Sequence, residues 1–335
     1  MAKSGLKVVS AVVIYSAFAV WLYLPYLDDF NRWQYLLIIN SVLGALGGYI
    51  LSRRWVAGFV GSFFAGAVYG FGPFLLSLAK FHSSAGFLVA LIPWLFCPAA
   101  FGPKGKWRWL QVPLSVIPFL TVILFFKAGA EFGRFPVPVQ ISLSKAELVG
   151  LLSPTAMAQK SDVLVGFYHV PIAVLVIGLS MLFVARRYGV MLIIVAGIVL
   201  AFCGSFLEVS PVVWLAIPSA CFSVVIGEGT EGLIKAGYHD RKWILISAVV
   251  LLALSVVSLL LGTRCAYVIA GLGLKYTRLF TESAKMYVLG AVAAFVVFFM
   301  ARSKIRVLWL RHVLIGVTLA VDIVLSARCV IDKIM

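Results

Sequence analysis

The chain has 335 residues, of which 63% are hydrophobic and 12% charged, with a mean hydropathy of +1.09 and a formal net charge of +16. Soluble domains carry roughly 25% charged and 45–50% apolar residues, so a water-soluble globule of this composition is excluded. The cations sit in short segments between apolar runs and form no basic stripe interleaved with aromatics, which argues against a nucleic-acid partner and for a role in membrane topology.

In lipid, every backbone amide must find its partner within the protein, which leaves helix bundles and closed barrels. Barrel strands are about ten residues long and alternate polar with apolar, whereas the runs here are continuous over helix-spanning lengths. The predicted fold is therefore an all-α polytopic transmembrane helix bundle, one integral membrane domain over 1–335. About eleven spans are expected, at 8–27, 34–52, 55–79, 84–101, 110–127, 163–184, 189–206, 211–227, 243–262, 286–301 and 307–327.

At the start of the chain, Lys3 and Lys7 precede an apolar run, and Ala17-Phe18-Ala19 imitates a signal-peptidase site. The run continues through Trp21 to Leu27, so it reads as an uncleaved first span. Asp28 and Asp29 follow directly. An acidic pair on the outer side after the first span resembles the metal or acceptor site of GT-C type glycosyltransferases, which use polyprenyl-phosphate sugars. That resemblance implies a lipid-linked transferase acting on the outer face, with Asp28 and Asp29 catalytic and able to hold a divalent ion with substrate phosphates. The loop is short where that family's is long, and a solvated turn explains the same residues.

Arg53-Arg54 alone divides the second span from the third, and two arginines at mid-membrane would be costly, so a tight cytoplasmic turn is expected there. A glycine-rich span, a two-arginine turn and a second glycine-rich span resemble the signature between spans two and three of major-facilitator transporters, without its acidic residue and second basic cluster. Gly44/Gly48 and Gly66/Gly70, each four residues apart, predict close helix contact. Pro93, Pro98, Pro113, Pro118, Pro171 and Pro218 lie inside spans, and each removes a backbone hydrogen bond. The freed carbonyls must face protein or a water-filled cavity. Kinked, closely packed helices suit a moving transporter and a static bundle alike.

Two outer segments exceed a turn, 128–162 and 263–285. In the first, Ser144 and Glu147 form a capping box, so a short helix is expected near 145. In the second, the apolar run 266–274 is too short to span. Glu228 and Glu231, within Gly227–Gly232, read as a tight polar turn after span eight, pairing with Lys235 or Arg241. Segments 34–127 and 163–262 share a basic turn, an Ile-Pro pair and a Lys-Trp pair, which raises a parallel four-span repeat. Two helical hairpins in one membrane would share such features without duplication.

Intramembrane charge is the best pointer to function in a bundle. Asp322 lies in the last span and His169 in the sixth, both in the predicted outer third. This pair would bind a substrate or ion, or relay a proton; structural hydrogen bonding is the competing explanation. Of five cysteines, Cys97, Cys203 and Cys221 read as packing residues. Cys265 and Cys329 follow spans on the outer side and are candidates for a disulfide. No cysteine or histidine spacing points to a metal or cofactor.

With the N-terminus inside, every short inner loop is basic and most acids fall outside, the positive-inside pattern. The expected location is a bacterial inner membrane, with the lipid bilayer as the chief partner and other membrane subunits as further ones. The leading expectation is a transporter or flippase for a small or lipid-linked solute, with a polar layer in the outer third of the membrane. The alternatives are a non-catalytic membrane subunit or anchor of a larger complex and the glycosyltransferase-like enzyme.

Overall fold

The computed structural model describes residues 2–30, 34–81, 83–102, 105–132, 178–179, 188–202, 207, 209–264, 275–303 and 307–334. Among them there are helices and turns and no strand. The helices are α1 (Ala2–Tyr23), α2 (Tyr35–Ser52), α3 (Phe59–Gly70), α4 (Pro73–Phe81), α5 (Ser83–Phe101), α6 (Gln111–Phe132), α7 (Tyr188–Phe202), α8 (Ala216–Lys235), α9 (Arg241–Thr263), α10 (Lys275–Arg302) and α11 (Leu308–Ile334). Short 3₁₀ turns at Leu24–Asp29, Gly105–Leu110, Pro211–Leu215 and Tyr238–Asp240 flank them.

Eight of the described helical segments are long and apolar enough to cross a membrane, and Ala85–Phe101 and Tyr188–Phe202 are shorter apolar helices. The chain is thus an all-helical, multi-pass type of molecule. The predicted spans at 163–184, the capping-box helix near 145 and the run at 266–274 lie wholly or mostly outside the described residues.

Burial separates central from peripheral helices. Over the 18-residue apolar core of the Phe59–Leu78 segment 83% of residues are buried, and over that of Pro211–Lys235 78%, against 22% for that of Gln111–Gly129. The peripheral helices turn large apolar side chains outward, with Val112 70%, Leu124 66% and Leu192 71% exposed. A soluble monomer rarely presents so continuous an apolar surface, whereas lipid solvates it.

α3 is enclosed because glycines line two of its faces. A Cβ on Gly48 of α2 would lie 3.2 Å from the Gly66 Cα, and one on Gly227 of α8 would lie 2.7 Å from the Gly61 carbonyl oxygen. The four-residue glycine spacing thus does bring α2 and α3 together. Gly227–Gly232 is not the expected turn. The helix runs through it to Lys235, and Gly227 serves interhelical packing instead.

The third predicted span is broken. Pro73 lacks an N–H and pushes the residue before it out of the helical region, so α3 ends at Gly70 and α4 restarts with proline in its first position. Pro93, Pro98 and Pro118 instead sit inside continuous helices. Pro113 and Pro218 fall in first turns, where the missing N–H has no intrahelical partner anyway. Pro93 and Pro218, the shared Ile-Pro prolines of the two four-span segments, therefore occupy different points of their helices. Pro93 deprives the Val89 carbonyl of its helical donor. The Tyr69 hydroxyl of α3 supplies one, at 2.6 Å.

Tyr69→Phe should destabilise the purified protein by about 1–3 kcal/mol, the cost of stranding a buried acceptor. In the Pro93→Ala background, where Val89 regains a backbone donor, the same change should cost clearly less, read by denaturant titration of all four proteins. Separately, Gly61→Val should cost at least about 2 kcal/mol through overpacking. Gly189→Ala, with open space around it, should stay within about 0.5 kcal/mol.

Candidate functional site

Charged groups gather at one end of the bundle. Arg53, closing α2, donates through Nη1 to the carbonyls of Ala57 (2.9 Å) and Gly58 (3.1 Å), so the α2–α3 turn is held by its own arginine. Glu231 of α8 reaches the start of α3, where a Cβ on Gly58 would collide with its carboxylate. An acid at a helix N-terminus complements the helix dipole. Its Oε1 pairs with Lys235 at 2.6 Å, one turn on, while Oε2 has no hydrogen-bond partner among the described residues. Arg311 of α11 is 4% exposed and donates to the carbonyls of Ala236 (2.6 Å) and Ile234 (3.4 Å), capping the C-terminal end of α8. The expected pairing of this acidic segment with Lys235 is therefore present for Glu231.

The opposite end ties the first helix to the last. The Tyr26 hydroxyl donates to Asp332 at 2.9 Å, Arg328 lies 3.9 Å from the same carboxylate, and its guanidinium stands 5.4 Å from the Trp21 ring centroid. Asp28 is exposed in the adjoining 3₁₀ turn, which also contains Asp29. Among the described residues, no three His, Cys, Asp or Glu side chains converge as a metal site.

Asp322 is fully buried on α11. Thr318 and Ser326, one turn either side, are buried on the same face. Tyr287 of α10, also fully buried, is within electrostatic range of the Asp322 carboxylate. Because α11 extends to Ile334, Asp322 lies about 21 Å from its first residue and about 18 Å from its last, near the middle of the helix. His169 and Cys265 lie outside the described residues. Cys329 is half-buried on α11, and Cys221 is buried on α8.

A candidate ligand site lies elsewhere. A cavity of about 370 Å³ lies between α2, α5, α6, α7 and α8, with Leu51, Trp55, Phe96, Val112, Ile193 and Val224 among its apolar walls. Its polar lining is sparse: Gln111 and Ser115 on α6, and Glu228 on α8. The walls come from the end of α2, the end of α5 and the starts of α6 and α7, so the cavity sits towards the charged end of the bundle. A mostly apolar recess with a few polar groups is the usual form of a small-molecule site. The sequence reading missed it because it ended span eight at residue 227. The signal was present: Glu228 is a carboxylate inside a span once the helix is followed to Lys235.

Asp322 does not line this cavity. A second, smaller one of about 160 Å³ touches its neighbours Ala320, Ile323 and Val324 but is bounded by apolar groups. Comparison of the chain with protein-family models, curated proteins and solved structures finds no match.

Arg311→Met should destabilise the protein by about 1.5–3 kcal/mol, since it removes charge-assisted hydrogen bonds to buried carbonyls. Arg328→Gln, which breaks a pair about half exposed on both sides, should cost under about 1 kcal/mol. Thermal unfolding of both variants in detergent checks the contrast.

Proposed function

We propose that the chain is an integral membrane transporter or flippase for a small or lipid-linked solute, built from eleven spans in a bacterial inner membrane with its N-terminus in the cytoplasm. The observation that carries the functional part is the cavity at Glu228, Gln111 and Ser115, lined by five helices and largely apolar. Such a recess suits a ligand with a substantial apolar portion and one or two polar groups. Asp322, Tyr287 and Thr318 form a separate buried polar layer, and a carboxylate at membrane depth is suited to proton or ion coupling.

The topology is supported by three features. The ten described apolar helical segments and the apolar stretch 163–184 together make eleven. The Tyr26–Asp332 bond joins the far ends of the first and last helices, which therefore run the same way, as an odd number of crossings requires. Arg53, Lys235 and Arg311 meet at the other end, which the positive-inside rule assigns to the cytosol.

A second reading, a non-catalytic membrane subunit or anchor, is favoured by the packing around Asp322, which is sealed from the bundle surface. The glycosyltransferase-like reading rests on Asp28 and Asp29 alone.

The two leading readings separate in one experiment. The purified protein is screened against amphipathic and lipid-linked solutes by thermal shift, and hits are assayed for transport in proteoliposomes. A bound ligand at a hundred times its Kd stabilises by about 2.7 kcal/mol. Ser115→Trp should erase that shift by filling the cavity. Asp322→Asn should abolish transport while leaving expression and ligand-induced stabilisation intact. Unchanged transport in Asp322→Asn removes that residue from the mechanism. A chain that binds no solute and co-purifies with a fixed amount of another membrane protein supports the anchor reading.

A further inference from the structure

The start of α9 and the end of α10 form a second recess, distinct from the cavity at Glu228. A cleft of about 440 Å³ is lined by Tyr238, Arg241, Lys242, Leu245, Phe298 and Arg302. Its three cations come from two helices: Arg241 and Lys242 open α9, and Arg302 closes α10. The Arg241 guanidinium is held 4.1 Å from the centroid of the Tyr238 ring, which fixes it at the cleft wall. Asp240, the adjacent acid, accepts a hydrogen bond from the Gly237 N–H at 2.9 Å. Among the described residues no carboxylate forms an ion pair with Arg241, Lys242 or Arg302.

The vertical order of the lining is informative. Leu245 lies one turn beyond Arg241 along α9, and Phe298 one turn before Arg302 along α10. Cations thus form the rim, and apolar walls lie one turn deeper, along the membrane-crossing part of both helices. The next outward-facing residues on α9, Ile246 and Val249, are exposed and apolar. Trp243, also exposed beside the rim, suits the headgroup depth where aromatic belts form. Inorganic phosphate would use the rim and leave the apolar wall empty. A phospholipid uses both, and basic pockets between membrane helices are suited to acidic headgroups.

We propose that this cleft binds an anionic phospholipid, its phosphate held by Arg241, Lys242 and Arg302 and its acyl chain lying against Leu245 and Phe298. The site requires the chain to span a membrane and is independent of what the chain transports.

The test uses the full chain in detergent, with phosphatidylglycerol, phosphatidylcholine or inorganic phosphate added, read by thermal unfolding and by native mass spectrometry of retained lipid. Phosphatidylglycerol should bind and raise the midpoint, and the other two should not. The R241Q/K242Q/R302Q variant should weaken apparent affinity on the order of a hundredfold, and R302Q alone roughly fivefold, as expected for successive loss of basic headgroup contacts. R241K/R302K, which keeps the charge, should retain most of the binding, and so should K7Q/R54Q, which removes cations elsewhere. If the triple variant does not fold, R302Q decides. The proposal is overturned if R302Q and the triple variant bind phosphatidylglycerol as the parent does, if K7Q/R54Q loses as much, or if phosphatidylcholine or inorganic phosphate stabilises equally well.

Discussion

The close approach of α2, α3 and α8 is the contact on which the rest of the bundle depends. Lipid tails are as apolar as the helices they surround, so burial of oily side chains gives little drive for one helix to leave lipid for another. Dispersion between closely fitted surfaces must supply it, and that requires backbones to come near each other. Gly48 against Gly66, and Gly61 against Gly227, remove the side chains that would hold these helices apart. α3 is thereby enclosed on two sides, and the remaining helices pack around this centre while presenting their own apolar faces outward.

Enclosure creates a second demand, because a polar group inside the bundle has no water to turn to. The chain meets it by pairing groups from different helices. Tyr69 donates to the carbonyl that Pro93 leaves without a donor, Tyr15 donates to the Phe63 carbonyl at 2.6 Å, and the Trp94 indole to the Leu43 carbonyl at 2.9 Å. Arg311 does the same at the end of α8. These bonds are directional where glycine packing is not, so they fix rotation and register in helices that glycine has merely brought close.

Beside these paired groups, the cavity at Glu228 stands out as space that side chains leave unfilled. Its neighbours include α5, whose two internal prolines each remove a backbone hydrogen bond, and α6, which carries one. Asp322 belongs to the other category, a polar group already surrounded by protein. The two features are separate: one offers room, and the other is a carboxylate fully enclosed by protein.

What the sequence determined by itself is the helical, multi-pass class of the molecule, because composition and run length leave no other solvent or backbone arrangement open. It also made the α2–α3 hairpin legible, through Arg53 and the glycine spacing, since both act locally or at short range. Tertiary structure alone decided what lies opposite what. The continuation of α8 through Glu228 to Lys235, the partner of Val89 and the cavity walls drawn from five helices all depend on neighbours distant in the chain. In an apolar sequence nearly every span has the same lipid-compatible surface, so pairing is set by the fit of individual small and polar residues rather than by any pattern along one helix.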